Sequence, residues 1–119
     1  MSMKATIRQV DSVTVVDVSG RITLGEGCTQ LRELVRDQLG KGNKNILLNL
    51  ADVTYIDSSG IGELVSAYTG VSRQGGGLKL LNLTKKVHDL LQITKLYTVF
   101  EVHSDEALAI SSFAKAAGA

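Results

Sequence analysis

The chain has 119 residues, of which 44% are hydrophobic and 21% charged, and this composition supports one domain with one buried core. The 13 basic residues nearly balance the 12 acidic ones, so the formal charge of +1 argues against binding to nucleic acid or to an anionic membrane surface. The single cysteine excludes an internal disulfide and a cysteine-rich metal site, and it suits a reducing cytoplasm.

The N-terminal segment predicts a β-hairpin. Apolar and polar residues alternate over residues 6–10, and β-branched residues dominate residues 13–18. Asp11 and Ser12 stand between the two runs, and both residue types favour tight turns. We therefore expect two antiparallel strands, with Gly20 ending the second.

A helix and a buried strand follow the hairpin. From Cys28 onward, apolar residues recur with the period of an amphipathic helix, which the glycines and asparagine of segment 40–43 are suited to end. The predicted buried face of this first helix comprises Cys28, Leu31, Leu34, Val35 and Leu39. Residues 46–50 form a nearly continuous apolar run, which is typical of a central parallel strand buried on both faces.

The middle of the chain predicts a second helix that begins after a polar segment. Residues 53–56 favour β structure and lead into segment 57–60, Asp-Ser-Ser-Gly. Helical spacing then persists until the three glycines 75–77 break it. The predicted apolar face of this helix comprises Ile61, Leu64, Val65 and Tyr68.

The C-terminal third predicts two more strands and two more helices. Residues 78–81 and 99–102 have the composition of strands, and Thr84 and Ser104 are suited to cap the helices that follow. Two acidic residues follow Ser104, where the helix dipole favours them. The predicted buried residues are Val87, Leu90 and Leu91 in the third helix and Ala107, Ile110, Phe113 and Ala114 in the fourth.

This order of elements predicts an α/β fold. Strands that alternate with helices need right-handed crossovers and therefore a largely parallel sheet, to which the hairpin adds an antiparallel edge. We expect a single domain over residues 1–119 with a mixed, mostly parallel sheet and about four helices. The sequence contains neither a membrane-spanning apolar run nor the apolar core of a signal peptide, so we expect a soluble, cytoplasmic protein.

The sequence lacks the common nucleotide-binding and hydrolase motifs. Segment 40–42, Gly-Lys-Gly, lacks the hydroxyl and the spacing of a phosphate-binding P-loop, and segment 60–62, Gly-Ile-Gly, lacks the third glycine of a dinucleotide fingerprint. No Gly-x-Ser-x-Gly nucleophile elbow is present. We interpret His88 and His103 as surface residues, and Cys28 as a core residue of the first helix. We predict no cofactor and no metal site, and a nucleotide-binding or hydrolytic enzyme stays the third alternative.

Segment 57–62, Asp-Ser-Ser-Gly-Ile-Gly, is the feature to which we attach function. It lies between a predicted strand and a predicted helix, at the sheet edge where open α/β domains place their functional surfaces. One interpretation is capping, because Asp and Ser accept hydrogen bonds from the free N–H groups of a helix start. The other is a phosphorylation switch, in which a phosphate at the positive end of the helix dipole adds about −1.5 to −2 of charge beside Asp57.

Segment 48–62, Leu-Asn-Leu-Ala-Asp-Val-Thr-Tyr-Ile-Asp-Ser-Ser-Gly-Ile-Gly, closely resembles the signature of the STAS family, in particular the bacterial anti-sigma factor antagonists. Segments 18–20, 75–80 and 87–96 extend the resemblance over nearly the whole chain. The resemblance implies a STAS-like fold and a partner-switching cycle. In such a cycle the unphosphorylated antagonist binds an anti-sigma factor, which is an ATP-using serine kinase, and so frees a sigma factor. The kinase then phosphorylates the antagonist and releases it, and a serine phosphatase restores it.

The resemblance also implies roles for individual residues. Ser58, directly after the aspartate, is the implied phosphate acceptor, with Ser59 as the alternative acceptor and otherwise the cap of the second helix. Asp57 shapes the loop and adds repelling charge, while Gly60 and Gly62 let a partner approach closely. The implied partner-binding residues are Asp57, Ser58, Ser59, Gly60, Ile61, Gly62, Arg21 and Thr23. The implied role is not enzymatic, since the ATP and its magnesium belong to the kinase.

One departure separates this chain from many antagonists. Those proteins carry Gly-Glu-Leu-Asp after the second strand, whereas this chain has Gly-Arg-Ile-Thr at residues 20–23. Arg21 and Thr23 therefore replace two carboxylates near the expected docking face. The difference keeps a second interpretation open: a constitutive STAS adaptor or scaffold subunit, in a lipid-transport ATPase complex or a signalling assembly, without a phosphorylation switch.

Overall fold

A computed structural model describes the backbone of residues 3–118 and the side chains of residues 3–113. The elements in chain order are β1 (Lys4–Val10), β2 (Val13–Ile22), α1 (Glu26–Gly40), β3 (Asn45–Ile56), α2 (Ser58–Arg73), β4 (Gly77–Leu81), α3 (Lys85–Ile93), a 3-10 turn (Tyr97–Val99), β5 (Val102–His103) and α4 (Glu106–Gly118). The strands pair in the order β1-β2-β3-β4-β5, with β1 antiparallel to β2 and the remaining pairs parallel. The predicted mixed sheet with an antiparallel N-terminal hairpin is confirmed.

The sheet lies between two helical layers. Val16 and Leu48 join the core cluster that contains residues of α1, α2 and α3, whereas their neighbours Val15 and Leu47 join the cluster formed with α4. Side chains alternate across a strand, so helices on both sides bury both faces of β2 and β3. This is why residues 46–50 are almost continuously apolar, and the predicted central strand is confirmed.

The observed helix faces follow the predicted ones with small differences. In α1 the buried stripe passes through Val35 and Gln38, which leaves Leu34 and Leu39 half-buried on its flanks. Gln38 can be buried because its side-chain oxygen accepts a hydrogen bond from the amide of Asn43 at 2.8 Å. None of the helices within residues 3–118 is both long and apolar enough to span a membrane.

Strand β2 is longer than the sequence predicts. Gly20 does not end it, because the chain bulges at this point and pairing with β3 continues to Ile22. The φ of Gly20 is +92°, a conformation that is open mainly to glycine. As a result, β2 and β3 end side by side at the same edge of the sheet.

The predicted last strand is present, but its predicted bounds, residues 99–102, are wrong. Tyr97–Val99 forms a 3-10 turn, and β5 comprises only Val102–His103. The apolar residues that suggested a strand fill the core instead: Phe100 is buried and meets Tyr68 edge to face, with ring centroids 5.5 Å apart.

Helix α4 begins later than predicted. The side chain of Asp105, not of Ser104, accepts the hydrogen bond from the backbone N–H of Leu108, at 3.0 Å. Ala107 is exposed, and Ala109 is buried in its place. Ile110 and Phe113 are buried as predicted, and the side chain of Ala114 lies outside the described residues.

Arg8 fastens α4 to the hairpin. Its guanidinium lies 2.6 Å from the carboxylate of Asp17 on β2 and 2.9 Å from that of Glu106 in the first turn of α4. The hydrogen bonds from Arg8 hold the pKa values of Asp17 and Glu106 below their usual range and raise the pKa of Arg8. Forked Arg–carboxylate geometry is the strong form of a surface ion pair.

Replacing Arg8 tests the contribution of these ion pairs to stability. Arg8→Met should lower the free energy of unfolding by about 1 kcal/mol at pH 7, since the three groups are partly exposed and solvent screens them. Both carboxyl pKa values are lowered in the folded state, so their stabilisation is present above about pH 4 and is lost as the pH falls through the folded values. The difference from wild type should therefore shrink below about pH 3.

Urea unfolding at a series of pH values measures the effect. Lys4→Met is the control, because Lys4 lies exposed on the same strand and makes no ion pair within residues 3–113. An Arg8→Met deficit that is the same at pH 3 and pH 7 would show that packing, not charge, is responsible.

Candidate functional site

The candidate site lies where β2 and β3 end together. Ile22 and Ile56 are paired at the ends of the two parallel strands, and the backbone N–H of Asp57 points to the carbonyl oxygen of Ile22 at 3.4 Å. The loop from β2 to α1 and the start of α2 therefore leave the sheet as neighbours. The predicted functional segment 57–62 is located at the carboxyl edge of the sheet, as expected from its sequence position.

The carboxylate of Asp57 joins these two segments. Its Oδ1 accepts a hydrogen bond from the N–H of Gly60 at 2.8 Å, which makes Asp57 the N-cap of α2. Its Oδ2 accepts a second bond from the N–H of Leu24 at 3.1 Å, across the gap to the loop between β2 and α1. Partial desolvation favours the neutral acid, but the bonds from Gly60 and Leu24 outweigh it and the pKa of Asp57 is lowered.

The two serines differ in accessibility. Ser58, the first residue of α2, is exposed, whereas Ser59 is half-buried. Within residues 3–113 the hydroxyl of Ser58 makes no hydrogen bond, so nothing in this part of the chain holds it back from a partner. The expectation that Ser59 caps α2 is wrong, because Asp57 is the N-cap and Ser59 is already the second residue of the helix.

Gly60 and Ile61 have internal roles. Gly60 is buried, and a Cβ added to it would overlap the carbonyl oxygen of Ile22 and lie 2.6 Å from Cγ1 of Ile56. Ile61 is 2% exposed and belongs to the core. Packing against the sheet end covers both residues, which does not favour the expected direct contact with a partner. Gly62 is exposed, and its missing side chain would meet nothing within 4 Å.

The loop between β2 and α1 borders the exposed serine. Arg21 is exposed and its guanidinium lies over the ring of Tyr55, 4.7 Å from the ring centroid. Thr23 is half-buried, and its carbonyl accepts the N–H of Cys28 at 3.1 Å. Two predicted partner-binding residues, Arg21 near the end of β2 and Thr23 just after it, thus lie beside the segment that carries Ser58.

Sequence reasoning missed Leu24. This side chain is 78% exposed, although its backbone N–H is tied to Asp57. An isolated leucine between a threonine and a glycine, just before a helix, was the available signal. The hydrogen bond to Asp57 fixes the backbone from which this apolar side chain projects.

The remaining candidate residues lie apart from this edge or carry no reactive arrangement. His88 stacks edge to face on Tyr97, and His103 pairs with Glu101 at 2.6 Å. Cys28 is 5% exposed, as predicted for a core residue, and burial raises the pKa of its thiol. Residues 3–113 contain no cluster of His, Cys, Asp and Glu side chains that could hold a metal ion.

The family model of the STAS domain matches residues 4–109, and the chain belongs to this family. An anti-sigma-B factor antagonist of Bacillus subtilis is 29% identical over 102 residues, covering 86% of this chain and 92% of that protein. An anti-sigma F factor antagonist of Paenibacillus polymyxa is 22% identical over 116 residues, covering 93% of this chain and 95% of that protein. The crystal structure of a candidate anti-sigma factor antagonist from Thermotoga maritima matches with a TM-score of 0.84 at 26% identity, covering 92% of this chain and 93% of that one.

Two glycines of α2 provide a matched test of the packing at this edge. Gly60→Ala should lower the free energy of unfolding by about 1–3 kcal/mol, because the added methyl must displace the backbone of Ile22. Gly62→Ala makes the same chemical change in the same helix turn, where the space is open. It should raise the free energy of unfolding by up to about 1 kcal/mol, because alanine has the higher helix propensity. Urea denaturation followed by circular dichroism measures both, and equal effects would contradict the close approach at Gly60.

Substitutions of Asp57 separate its two hydrogen bonds. Asp57→Ala should cost about 1 kcal/mol by removing the cap. Asp57→Asn keeps one acceptor oxygen for Gly60 but turns an amide toward Leu24, so the amide hydrogen of Leu24 should exchange with solvent faster while that of Gly60 stays protected. Hydrogen exchange followed by NMR measures this difference. Unchanged exchange at Leu24 in Asp57→Asn would show that the carboxylate does not hold the neighbouring loop.

Proposed function

We propose that this chain is an anti-sigma factor antagonist. Its unphosphorylated form binds an anti-sigma factor that is an ATP-using serine kinase, and phosphorylation of Ser58 dissociates the complex. The names of the relatives from Bacillus and Paenibacillus support the general role. The observation that supports the switch is the exposed Ser58 hydroxyl, at the first position of α2 and beside the fixed carboxylate of Asp57.

At the location of Ser58, a phosphate is compatible with the fold but disrupts binding of a partner. The start of α2 is the positive end of the helix dipole, so a phosphate there does not destabilise the fold. The carboxylate of Asp57 already occupies the N–H groups of Gly60 and Leu24, so the phosphate is left to face outward. It adds about −1.5 to −2 of charge to an edge that carries Asp57, and a partner seated on that edge is repelled.

The proposed footprint centres on the sheet edge. Ser58, Gly62 and Leu24 are exposed there, and burying the Leu24 side chain on a partner would contribute about 1.5–3 kcal/mol to binding. Arg21 and Thr23 complete the footprint on the β2 side. Gly60 and Ile61 support it from beneath without contact.

The chain acts in this proposal as a substrate and not as an enzyme. The kinase supplies the ATP, the magnesium and the base that takes the proton from Ser58 Oγ, and the γ-phosphoryl group moves to that oxygen as ADP leaves. A separate serine phosphatase hydrolyses the phosphoserine and restores the binding form. No cofactor of the chain itself is required, and the cycle runs in the cytoplasm.

A second candidate function is a constitutive STAS adaptor or scaffold. Arg21 and Thr23 favour it, because they replace the carboxylates that many antagonists carry at these positions. An adaptor of this kind would bind its partner, an ATPase subunit or a signalling protein, with equal strength whether or not position 58 is charged.

The switch is tested with a purified anti-sigma factor serine kinase that binds this chain. Incubation with that kinase and ATP should place one phosphate on Ser58, which tandem mass spectrometry of the digested protein locates. Ser58→Ala should remain bound to the kinase in the presence of ATP, and Ser58→Asp should bind at least about tenfold more weakly, since its single charge only partly mimics the phosphate. Ser59→Ala is the matched control and should be phosphorylated and released like wild type.

Two outcomes would change the assignment. A phosphate on Ser59 with none on Ser58 would exchange the roles of the two serines. Absence of phosphate from both, together with equal binding of Ser58→Ala and Ser58→Asp, would reject the switch and favour the adaptor.

A further inference from the structure

Two cationic side chains share one aromatic ring beside the loop that carries Ser58. The guanidinium of Arg21 lies 4.7 Å from the ring centroid of Tyr55, and the ammonium group of Lys86 lies 4.9 Å from the same centroid. Arg21 reaches the ring because it is the register partner of Tyr55 in the β2–β3 ladder, and Lys86 reaches it from the first turn of α3. We refer to Arg21, Tyr55 and Lys86 as the basic patch.

The basic patch has no anionic counterpart among residues 3–113. Neither Arg21 nor Lys86 makes an ion pair there, whereas the adjacent Lys85 pairs with Asp89 at 2.7 Å. Both cationic side chains are exposed, so they bring like charges together on one ring at the surface. Each cation is attracted to the face of the ring, and together the two exposed charges raise the local positive potential that an anionic partner would meet.

The position of the patch ties it to the proposed footprint. Arg21 immediately precedes Ile22, whose carbonyl oxygen faces the N–H of Asp57, and Tyr55 lies two residues before Asp57 on β3. The patch therefore borders the exposed Ser58 on the side of β2 and α3. A partner that covers Ser58 and Leu24 meets the patch as well.

We propose that the basic patch binds a carboxylate-bearing surface of the anti-sigma factor kinase and selects the kinase by that charge. The inference rests on the proposed function. Arg21 offers a planar fork that two carboxylate oxygens can match, and the ring of Tyr55 holds this fork in place. The neutral Thr23 adds no charge that would oppose an acidic partner.

Release by phosphorylation agrees with an acidic partner surface. A phosphate on Ser58 repels carboxylates brought close by the patch, and it offers Arg21 and Lys86 a competing anion within the same chain. A basic partner surface would instead be attracted by the phosphate. Carboxylates on the kinase thus account for both binding and release, because the basic patch attracts them and the phosphate repels them.

The first experiment measures binding to the kinase that phosphorylates Ser58, at about 50 and about 300 mM NaCl. Arg21→Ala/Lys86→Ala should weaken binding about tenfold at the lower salt concentration and should reduce the salt dependence of the dissociation constant. Lys44→Ala/Arg73→Ala is the matched control, since it removes one exposed lysine and one exposed arginine from the opposite edge of the sheet. It should bind like wild type, and unfolding curves confirm that both double variants fold.

The patch proposal is overturned if the two double variants bind equally well, or if the patch matters only when nucleotide is bound to the kinase. The second result would assign the anion to the nucleotide phosphates and not to carboxylates. In either case a phosphorylated Ser58 leaves the proposed function intact, so the two proposals fail separately.

The second experiment needs no kinase. Titration of the ¹⁵N-labelled protein with a hexaglutamate peptide should shift the amide signals of Arg21, Tyr55 and Lys86, and Arg21→Ala/Lys86→Ala should abolish these shifts. A hexalysine peptide is the control and should leave them unchanged. Shifts as large at Lys44 and Arg73 as at the patch would show general attraction to lysine and arginine, and would overturn the proposal.

Discussion

The carboxylate of Asp57 is the constraint on which the arrangement of this edge depends. One of its oxygens fixes the start of α2 through Gly60, and the other fixes the preceding loop through Leu24. The two loops leave neighbouring parallel strands and have no other side-chain hydrogen bond between them within residues 3–113. One carboxylate therefore holds the backbone on both sides of this edge, and the hydrogen bonds that it accepts lower its pKa below the usual range for aspartate.

Much of the fold is predictable because it depends on patterns that are local or periodic. The continuous apolar run 46–50 identifies the strand that is buried on both faces, and the change to helical spacing after it identifies the helices. One error occurs where an apolar residue serves the core outside regular structure. Phenylalanine is a residue type that strands favour, but Phe100 packs on Tyr68 next to a 3-10 turn. Nothing in the neighbouring sequence distinguishes a strand residue from a core residue outside a strand.

The location of the site can be predicted from the sequence, but the roles of individual residues within it cannot. Sequence order alone locates segment 57–62 at the carboxyl edge of the sheet, because every parallel strand ends there. The role of Gly60 could not be predicted, since the group that excludes a side chain is the Ile22 carbonyl on another strand. Lys86 was missed for the same reason: it lies far along the chain from Tyr55, and only packing of α3 brings the two together.

In the proposed switch, one phosphate on Ser58 changes binding to the kinase without changing the fold. The most direct measurement is calorimetric titration of the kinase with wild-type protein and with the same protein phosphorylated on Ser58 beforehand, together with the unfolding curve of each form. We expect the phosphate to weaken binding at least about tenfold, with unfolding free energies of the two forms that agree within about 1 kcal/mol. Equal affinities would contradict the switch, and loss of affinity accompanied by loss of folded structure would contradict the electrostatic explanation.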